Sequence, residues 1–250
     1  MFTYQIDMNK SQASQSSNKL LASLPIEDYQ RIAPSLKSVP MRLKSVFHRQ
    51  NAPIDDVYFP DGGALSLVKT LNDGQVAEVA TVGSEGAVGA GVFFGQRVAD
   101  CDVLVQLTGP SAQMMSAEAF NAEMTRHESF FNRVVRYNQA LMSQIMQTTV
   151  CNGLHSAEQR CCRWLLMTHD RAGTDEFPLT HEFLATMLGV RRPTVTIVAN
   201  ALQQAGLIQY RRGSVTIVDR AKLEAASCEC YATVRDQMRR LLPDVQAPLS

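Results

Sequence analysis

The sequence predicts an α+β chain in three parts: a β sandwich or barrel, then a long amphipathic helix, then a helix-turn-helix followed by a β-hairpin. Three observations carry this. Between Val39 and Met115 short apolar runs are separated by turn signals. From Ser116 onward the apolar period changes from two to helical. From Leu179 to Tyr210 two short helical patterns flank a single glycine, Gly189, and the second opens with Arg191 and Arg192.

The β expectation rests on runs such as Val57-Tyr58-Phe59, Ala64-Leu65-Ser66-Leu67-Val68 and Val103-Leu104-Val105-Gln106-Leu107. Asp61-Gly62-Gly63, Asn72-Asp73-Gly74 and Thr108-Gly109-Pro110 punctuate them. Asn72-Asp73-Gly74 between two alternating runs reads as a hairpin. Many short strands at regular spacing imply a sandwich or barrel.

Ser116-Ala117-Glu118 offers a helix start with an acid in the first turn. Apolar residues follow at Phe120, Met124, Phe131, Val134, Val135, Leu141, Met142 and Ile145, a single stripe on a helix of roughly 30 residues. Such a helix either packs on its own β domain or pairs with its copy. By itself the stripe favours neither. Beside a helix-turn-helix the dimer is favoured, because a two-fold reader needs a two-fold axis. A further helix is expected from Ser156 to Asp170, burying Cys161, Trp164, Leu165 and Leu166, and Arg171-Ala172-Gly173 breaks it.

In the helix-turn-helix, Thr180 caps the first helix and can offer its hydroxyl to a phosphate. Phe183, Leu184 and Met187 face inward, and Gly189 gives the turn its backbone freedom. In the second helix Val195, Val198, Ala199 and Leu202 pack inward, which leaves Arg191, Arg192, Thr194, Thr196 and Ile197 towards the outside near its start. Pro193 suits a first helical turn. Arginine can bond guanine bidentately, and a threonine methyl can touch the thymine methyl. Arg192 is expected to reach a base, and Arg191 stands between base and phosphate. Two alternating strands then flank Arg211-Arg212-Gly213-Ser214, a hairpin with a basic tip, and Arg211, Arg212 and Ser214 are phosphate candidates. A helix over Ala221 to Leu242 completes the chain, with a structural role.

Bulk properties bound the function. The length of 250 residues suggests about two domains, and 45% hydrophobic residues suit a globular core. No apolar run approaches the ~18 residues of a membrane span. Residues 1–18 are polar and Ser/Gln-rich, so a mobile arm and a cytoplasmic location are expected. The formal net charge is zero, but Pro178 to Lys222 holds Arg191, Arg192, Arg211, Arg212, Arg220 and Lys222 against Glu182 and Asp219. That segment therefore carries +4, the local positive potential that phosphate binding needs. The six cysteines, at 101, 151, 161, 162, 228 and 230, lack the spaced C-x-x-C pairs of a zinc site. They are expected to be reduced, packed thiols, with no metal and no cofactor. No nucleophile–base–acid set or phosphate-binding glycine loop points to an enzyme.

The order of β domain, long helix and winged helix-turn-helix, with Leu179-Thr180, Leu188-Gly189-Val190-Arg191-Arg192 and Gly206-Leu207-Ile208, resembles the Crp/Fnr family of bacterial transcription regulators. The resemblance covers about residues 20 to 240. It implies an arm over 1–19, a jelly-roll-like, cyclic-nucleotide-binding-like β-roll over 20–118 and a dimerisation helix over 119–152. A Crp-type winged helix-turn-helix over 153–222 and a C-terminal helix and tail over 223–250 complete it. In the dimerisation helix Phe131, Val134, Leu141 and Ile145 would form the seam. The implied partners are double-stranded DNA, a second copy of the chain and RNA polymerase. The effector is open, and a signal-binding module with protein rather than DNA contacts is the alternative.

Two departures from the family pattern matter. Members of the family read their half-site with Arg, Glu and a further Arg one turn on. Here Arg192 matches the first, Pro193 stands for the Glu and Ile197 for the second Arg. Proline cannot accept the hydrogen bond that Glu takes from cytosine, so a different half-site is expected. Nucleotide-binding members carry a Gly-Glu-Leu turn and an Arg-Ser/Thr about ten residues on. The corresponding residues here are Gly89, Ala90 and Gly91, then Asp100 and Cys101. Asp100 would repel a phosphate. Arg97 is nearby and would substitute in a shorter loop. No cyclic AMP binding is expected. The chain also has no cysteine before Cys101, unlike iron–sulfur members, and nothing supports His48 as a haem ligand.

Overall fold

The computed structural model describes residues 16–243 and 245. Two short helices, α1 (Lys19–Ala22) and α2 (Ile26–Ile32), lead into a β-roll of seven strands. These are β1 (Lys37–Val39), β2 (Val46–His48), β3 (Asp56–Pro60), β4 (Ala64–Thr70), β5 (Val76–Val82), β6 (Asp102–Leu107) and β7 (Ala112–Ser116). They form two antiparallel sheets, ordered β1-β7-β3 and β2-β6-β4-β5. The hairpin expected at Asn72-Asp73-Gly74 joins β4 to β5, with the Gly74 amide donating to the Leu71 carbonyl at 2.9 Å. Residues 1–15 of the expected arm lie outside the described residues. Of its last residues, 16–19, Asn18 is fully buried, caps α1 and donates its amide to the carbonyls of Pro60 and Gly86 at 2.8 and 2.9 Å. The Ser/Gln-rich composition hid this one buried asparagine.

The expected single long helix is two: α3 (Ala117–Arg126) and α4 (Glu128–Leu154). His127 is extended (φ −128°) and breaks them. The break lets Phe130, rather than Phe131, enter the core, edge-on to Phe120 at 5.6 Å with Phe59 beside both rings. One hydrophobic core draws on both sheets of the roll together with Phe120, Phe130, Val134, Tyr137 and Ala140 of α3 and α4.

The C-terminal part runs α5 (Ala157–Ala172), β8 (Glu176–Pro178), α6 (His181–Leu188), α7 (Arg192–Gln204), β9 (Ile208–Arg211), β10 (Ser214–Ile217), α8 (Arg220–Ala226) and α9 (Cys230–Leu241). Ser156 and Gln159 form a capping box at the start of α5, and Gly173 (φ 68°) ends it, as the break at 171–173 anticipated. The expected helix over Ala221 to Leu242 is broken between α8 and α9, where Ser227 is extended. Residues 244 and 246–250 of the tail lie outside the described residues. A second core joins α5, α6, α7 and the hairpin strands to Ala64, Val68 and Leu107 of the roll. The four-stranded sheet is therefore covered on both faces, and β4 buries consecutive residues instead of alternating.

Candidate nucleic-acid interface

Thr180 caps α6 as expected, its Oγ1 accepting the Phe183 amide at 3.1 Å. It is exposed, so its O–H remains available to an incoming phosphate. Leu184, Ala185, Met187 and Leu188 bury the inner face of α6. Gly189 then takes a left-handed conformation (φ 62°), which only glycine adopts at little cost, and its Cα faces the Ala77 side chain of β5. Helix α7 starts at Arg192 with Pro193 in its first turn and buries Val195, Val198, Ala199 and Leu202, the four positions that periodicity assigned inward. Arg191 and Arg192 are exposed, and Ile197 is 71% exposed on the outer face.

The hairpin after α7 turns at Arg212 (φ 47°) and Gly213 (φ 82°), a two-residue connection with both central residues left-handed. This turn lifts Arg211 and Arg212 into solvent. The Leu179 amide donates to the Gly213 carbonyl at 2.8 Å, which fastens the wing tip to the start of α6. Thr180, His181, Glu182, Arg192, Tyr210 and Gly213 line one groove. Cap, second helix and wing thus converge on one surface. Among the described residues no carboxylate forms an ion pair with Arg191, Arg192, Arg211 or Arg212.

Other candidates are differently placed. Ser214 spends its hydroxyl on Glu176 Oε1 (2.9 Å) and the Phe177 carbonyl (3.1 Å), because β8 pairs with β10. Strand β8, at Glu176–Pro178, was not anticipated. Thr196 is half-buried and bonds the Arg192 carbonyl at 3.2 Å and His181 Nδ1 at 3.1 Å, while Thr194 is half-buried in the first turn of α7. Arg220 pairs with Asp170 at 2.6 Å and Lys222 with Asp219 at 2.9 Å, so two of the six bases counted in the segment are neutralised within the fold. His181 was missed by sequence reading. Its ring lies edge-on to Tyr210 at 4.7 Å, and burial, helped by the positive charge of Arg192, lowers its pKa below the ordinary histidine value. His181, at the start of α6, is thus tied to the first turns of α7 through Thr196.

In the roll, Gly89 (φ 89°) has no room for a side chain, since a Cβ would meet the Asp56 carbonyl and the His48 ring, each at 2.7 Å. Ala90 is buried in the first core, and a Cβ on Gly91 would collide with Gln96. Asp100 is exposed and accepts the Gln96 amide at 3.0 Å; Arg97 is exposed as well. Burial, first of all, pushes the half-buried Cys101 thiol up to about 11. His48 is buried and bonded to the Asp56 carbonyl at 2.9 Å, a satisfied core histidine. On α4, Val134 is fully buried within its own chain and cannot lie in a seam with a second copy. Phe131, Leu141 and Ile145 are half-buried, the first two against the chain's own core. The exposed apolar residues are instead Met142, Met146, Val150 and Leu154, one every fourth position.

A family model for the Crp-like helix-turn-helix domain matches residues 159–226. No curated protein matches the chain in sequence. Solved structures do match in fold. FixK2 from Bradyrhizobium japonicum superposes with a TM-score of 0.66 at 15% identity, covering 77% of this chain and 98% of that one. A CRP-family transcriptional regulator from Thermus thermophilus gives 0.63 at 20% identity, with 76% and 96% covered. CLP of Xanthomonas campestris, a global regulator responsive to c-di-GMP, gives 0.65 at 14% identity, with 78% and 100% covered. The chain thus carries a Crp-like helix-turn-helix domain over residues 159–226, on the fold of the Crp/Fnr transcriptional regulators.

Proposed function

We propose that this protein is a sequence-specific, DNA-binding transcription regulator that reads a two-fold site as a homodimer. The observation that carries the reading is the grouping of Arg191 and Arg192 at the start of α7 with Arg211 and Arg212 at the wing tip. All four cations are exposed and have no carboxylate partner among the described residues, beside the open hydroxyl of Thr180. Helix α7 is the major-groove element, Arg192 reads a base edge, and the wing and Thr180 hold phosphates. Ile197 offers an apolar contact to a thymine methyl where the family's reading carries an arginine. The half-site therefore differs from the family's usual one.

The homodimer would form along α4 through Met142, Met146, Val150 and Leu154, an apolar stripe that the chain's own cores leave uncovered. In the roll, the buried methyl of Ala90 and the exposed carboxylate of Asp100 offer a cyclic nucleotide neither a ribose partner nor a phosphate partner, so cyclic AMP is not the effector. RNA polymerase is the partner such a regulator requires. Selection of bound sequences from a random DNA pool tests the whole reading. A palindromic consensus with a steep salt dependence is expected. Recovery of no consensus, or of the family's usual site, would overturn it in whole or in its specificity.

A further inference from the structure

Cys151, His155, Cys228 and Cys230 come from two distant stretches of chain and meet at one point. Cys151 and His155 lie one turn apart at the C-terminal end of α4; Cys228 lies between α8 and α9, and Cys230 is the first residue of α9. Their four donor atoms all lie within 4.8 Å of one another. Cys151 Sγ stands 3.5 Å from Cys228 Sγ, and Cys230 Sγ stands 3.4 Å from His155 Nδ1. The cysteines are 0, 3 and 0% exposed and form a cluster apart from both hydrophobic cores. Packing accounts for buried thiols, but not for an imidazole nitrogen turned into the midst of them.

The surroundings follow the logic of a metal site. The other ring nitrogen of His155, Nε2, lies 3.4 Å from Glu229 Oε2, the carboxylate that orients a ligating histidine and raises its basicity. Gln147 donates its amide to Cys230 Sγ at 3.0 Å, as outer donors do to ligating sulfur. Zinc–sulfur and zinc–nitrogen bonds of about 2.3 and 2.0 Å at tetrahedral angles separate two sulfurs by roughly 3.8 Å and a sulfur from a nitrogen by roughly 3.6 Å. The Cys151–Cys228 and Cys230–His155 pairs, at 3.5 and 3.4 Å, are within a few tenths of an ångström of that cage. An iron–sulfur cluster interposes several irons and sulfides and needs its cysteines farther apart.

We propose that these four residues bind one divalent ion, zinc by the softness and tetrahedral placement of its donors, in a closed Cys3His site. Binding displaces the three thiol protons to solvent and leaves the site with one net negative charge, facing the positive charge of Arg163 that acts on Cys151. With four protein ligands no position is open, so the ion is structural. It fastens the end of α4 to the α8–α9 turn and so holds the long helix to the far flank of the helix-turn-helix domain. This proposal does not depend on DNA binding.

The test is metal analysis of the full-length protein, purified reduced and dialysed against buffered zinc. One zinc per chain is expected. The cobalt-loaded protein should show the intense visible bands and near-ultraviolet sulfur-to-metal absorption of a tetrahedral thiolate site. Cys228→Ser with Cys230→Ser should lower the bound metal at least tenfold, while Cys101→Ser, in the roll, keeps it at one. Should the double variant fail to fold, the cobalt spectrum of the unaltered chain decides. A folded unaltered chain without metal would overturn the proposal. So would a weak octahedral cobalt spectrum, metal retained in the double variant, or a Cys151–Cys228 disulfide recovered in place of bound metal.

Discussion

Trp164 of α5 donates its indole N–H to the buried carboxyl of Glu78 on β5 at 2.7 Å. The bond joins the β-roll to the DNA-binding domain. It stands in a polar chain in which Ser66 donates to Gln106 at 2.7 Å, Gln106 to Thr168 at 2.8 Å, and Thr81 also bonds Glu78. Burial raises the pKa of Glu78 above the ordinary glutamate value, against the lowering effect of its hydrogen bonds and of Arg163. A carboxyl that holds its proton more firmly when folded stabilises the fold below its unfolded pKa, and that contribution is lost as the pH rises through the folded value. Stability of the unaltered chain should therefore fall as the pH climbs from the ordinary glutamate range into the raised one. Glu78→Gln keeps an acceptor for Trp164 without the charge, so its urea midpoint should vary less over that window and lie higher at its upper end. Parallel pH profiles for the two proteins would remove Glu78 as the titrating group.

The reading turn of the helix-turn-helix rests on the same strand. A Cβ at Gly189 would stand 3.3 Å from Ala77 Cβ, closer than comfortable contact, in a backbone of φ 62°. Gly206 has a similar φ of 72° but nothing within 4 Å. Left-handed backbone costs a non-glycine residue about 1–2 kcal/mol. Both Gly189→Ala and Gly206→Ala should lose about that much in urea unfolding, and Gly189→Ala should lose more. Equal losses would mean that the turn does not press on β5.

The inner face of α7 was legible because one period fixes four positions, Val195, Val198, Ala199 and Leu202, within a single element. The wing was legible because Arg212-Gly213 between alternating runs has one turn geometry. What sequence could not display was convergence between elements. Glu78 and Trp164 are 86 positions apart, and only the covered outer face of β4-β5-β6 makes a buried carboxyl there intelligible. The break at His127 was hidden because Phe130 and Phe131 satisfy the apolar stripe equally well until Phe59 and Phe120 select one of them. The cysteines show no C-x-x-C spacing. The signal that would have found the cluster was Cys151 and His155 at helical spacing together with Cys228-Glu229-Cys230.

The proposed dimer surface can be separated from the core on one helix. Met146 is 56% exposed and Val134 is fully buried, both on α4. Met146→Glu adds a charge to the uncovered stripe without entering the core. It should leave the thermal midpoint within a few degrees of the unaltered value and shift the protein from dimer to monomer in sedimentation at micromolar concentration. Val134→Ala should do the reverse, costing about 1–3 kcal/mol of stability with the dimer retained. An unaltered dimer in Met146→Glu would move the seam off this stripe.

The two basic groups should fail in different ways. Arg192 opens α7 beside Thr180, whereas Arg212 stands at the left-handed turn of the wing. A base-reading side chain loses discrimination when truncated; a phosphate-holding one loses affinity for every sequence alike. Arg192→Ala should cost about 1–3 kcal/mol on the selected site and flatten preference at one position of each half-site. Arg212→Ala should weaken specific and random duplexes equally and reduce the salt slope by about one for each phosphate that a chain no longer neutralises. Because Arg192 also holds the His181 pKa down, Arg192→Ala should let the imidazole titrate at higher pH, which proton NMR of His181 would read. An unchanged His181 titration would place the guanidinium away from the ring. Sequence-independent losses in both variants would remove Arg192 from base reading and leave specificity to Ile197 and the rest of α7.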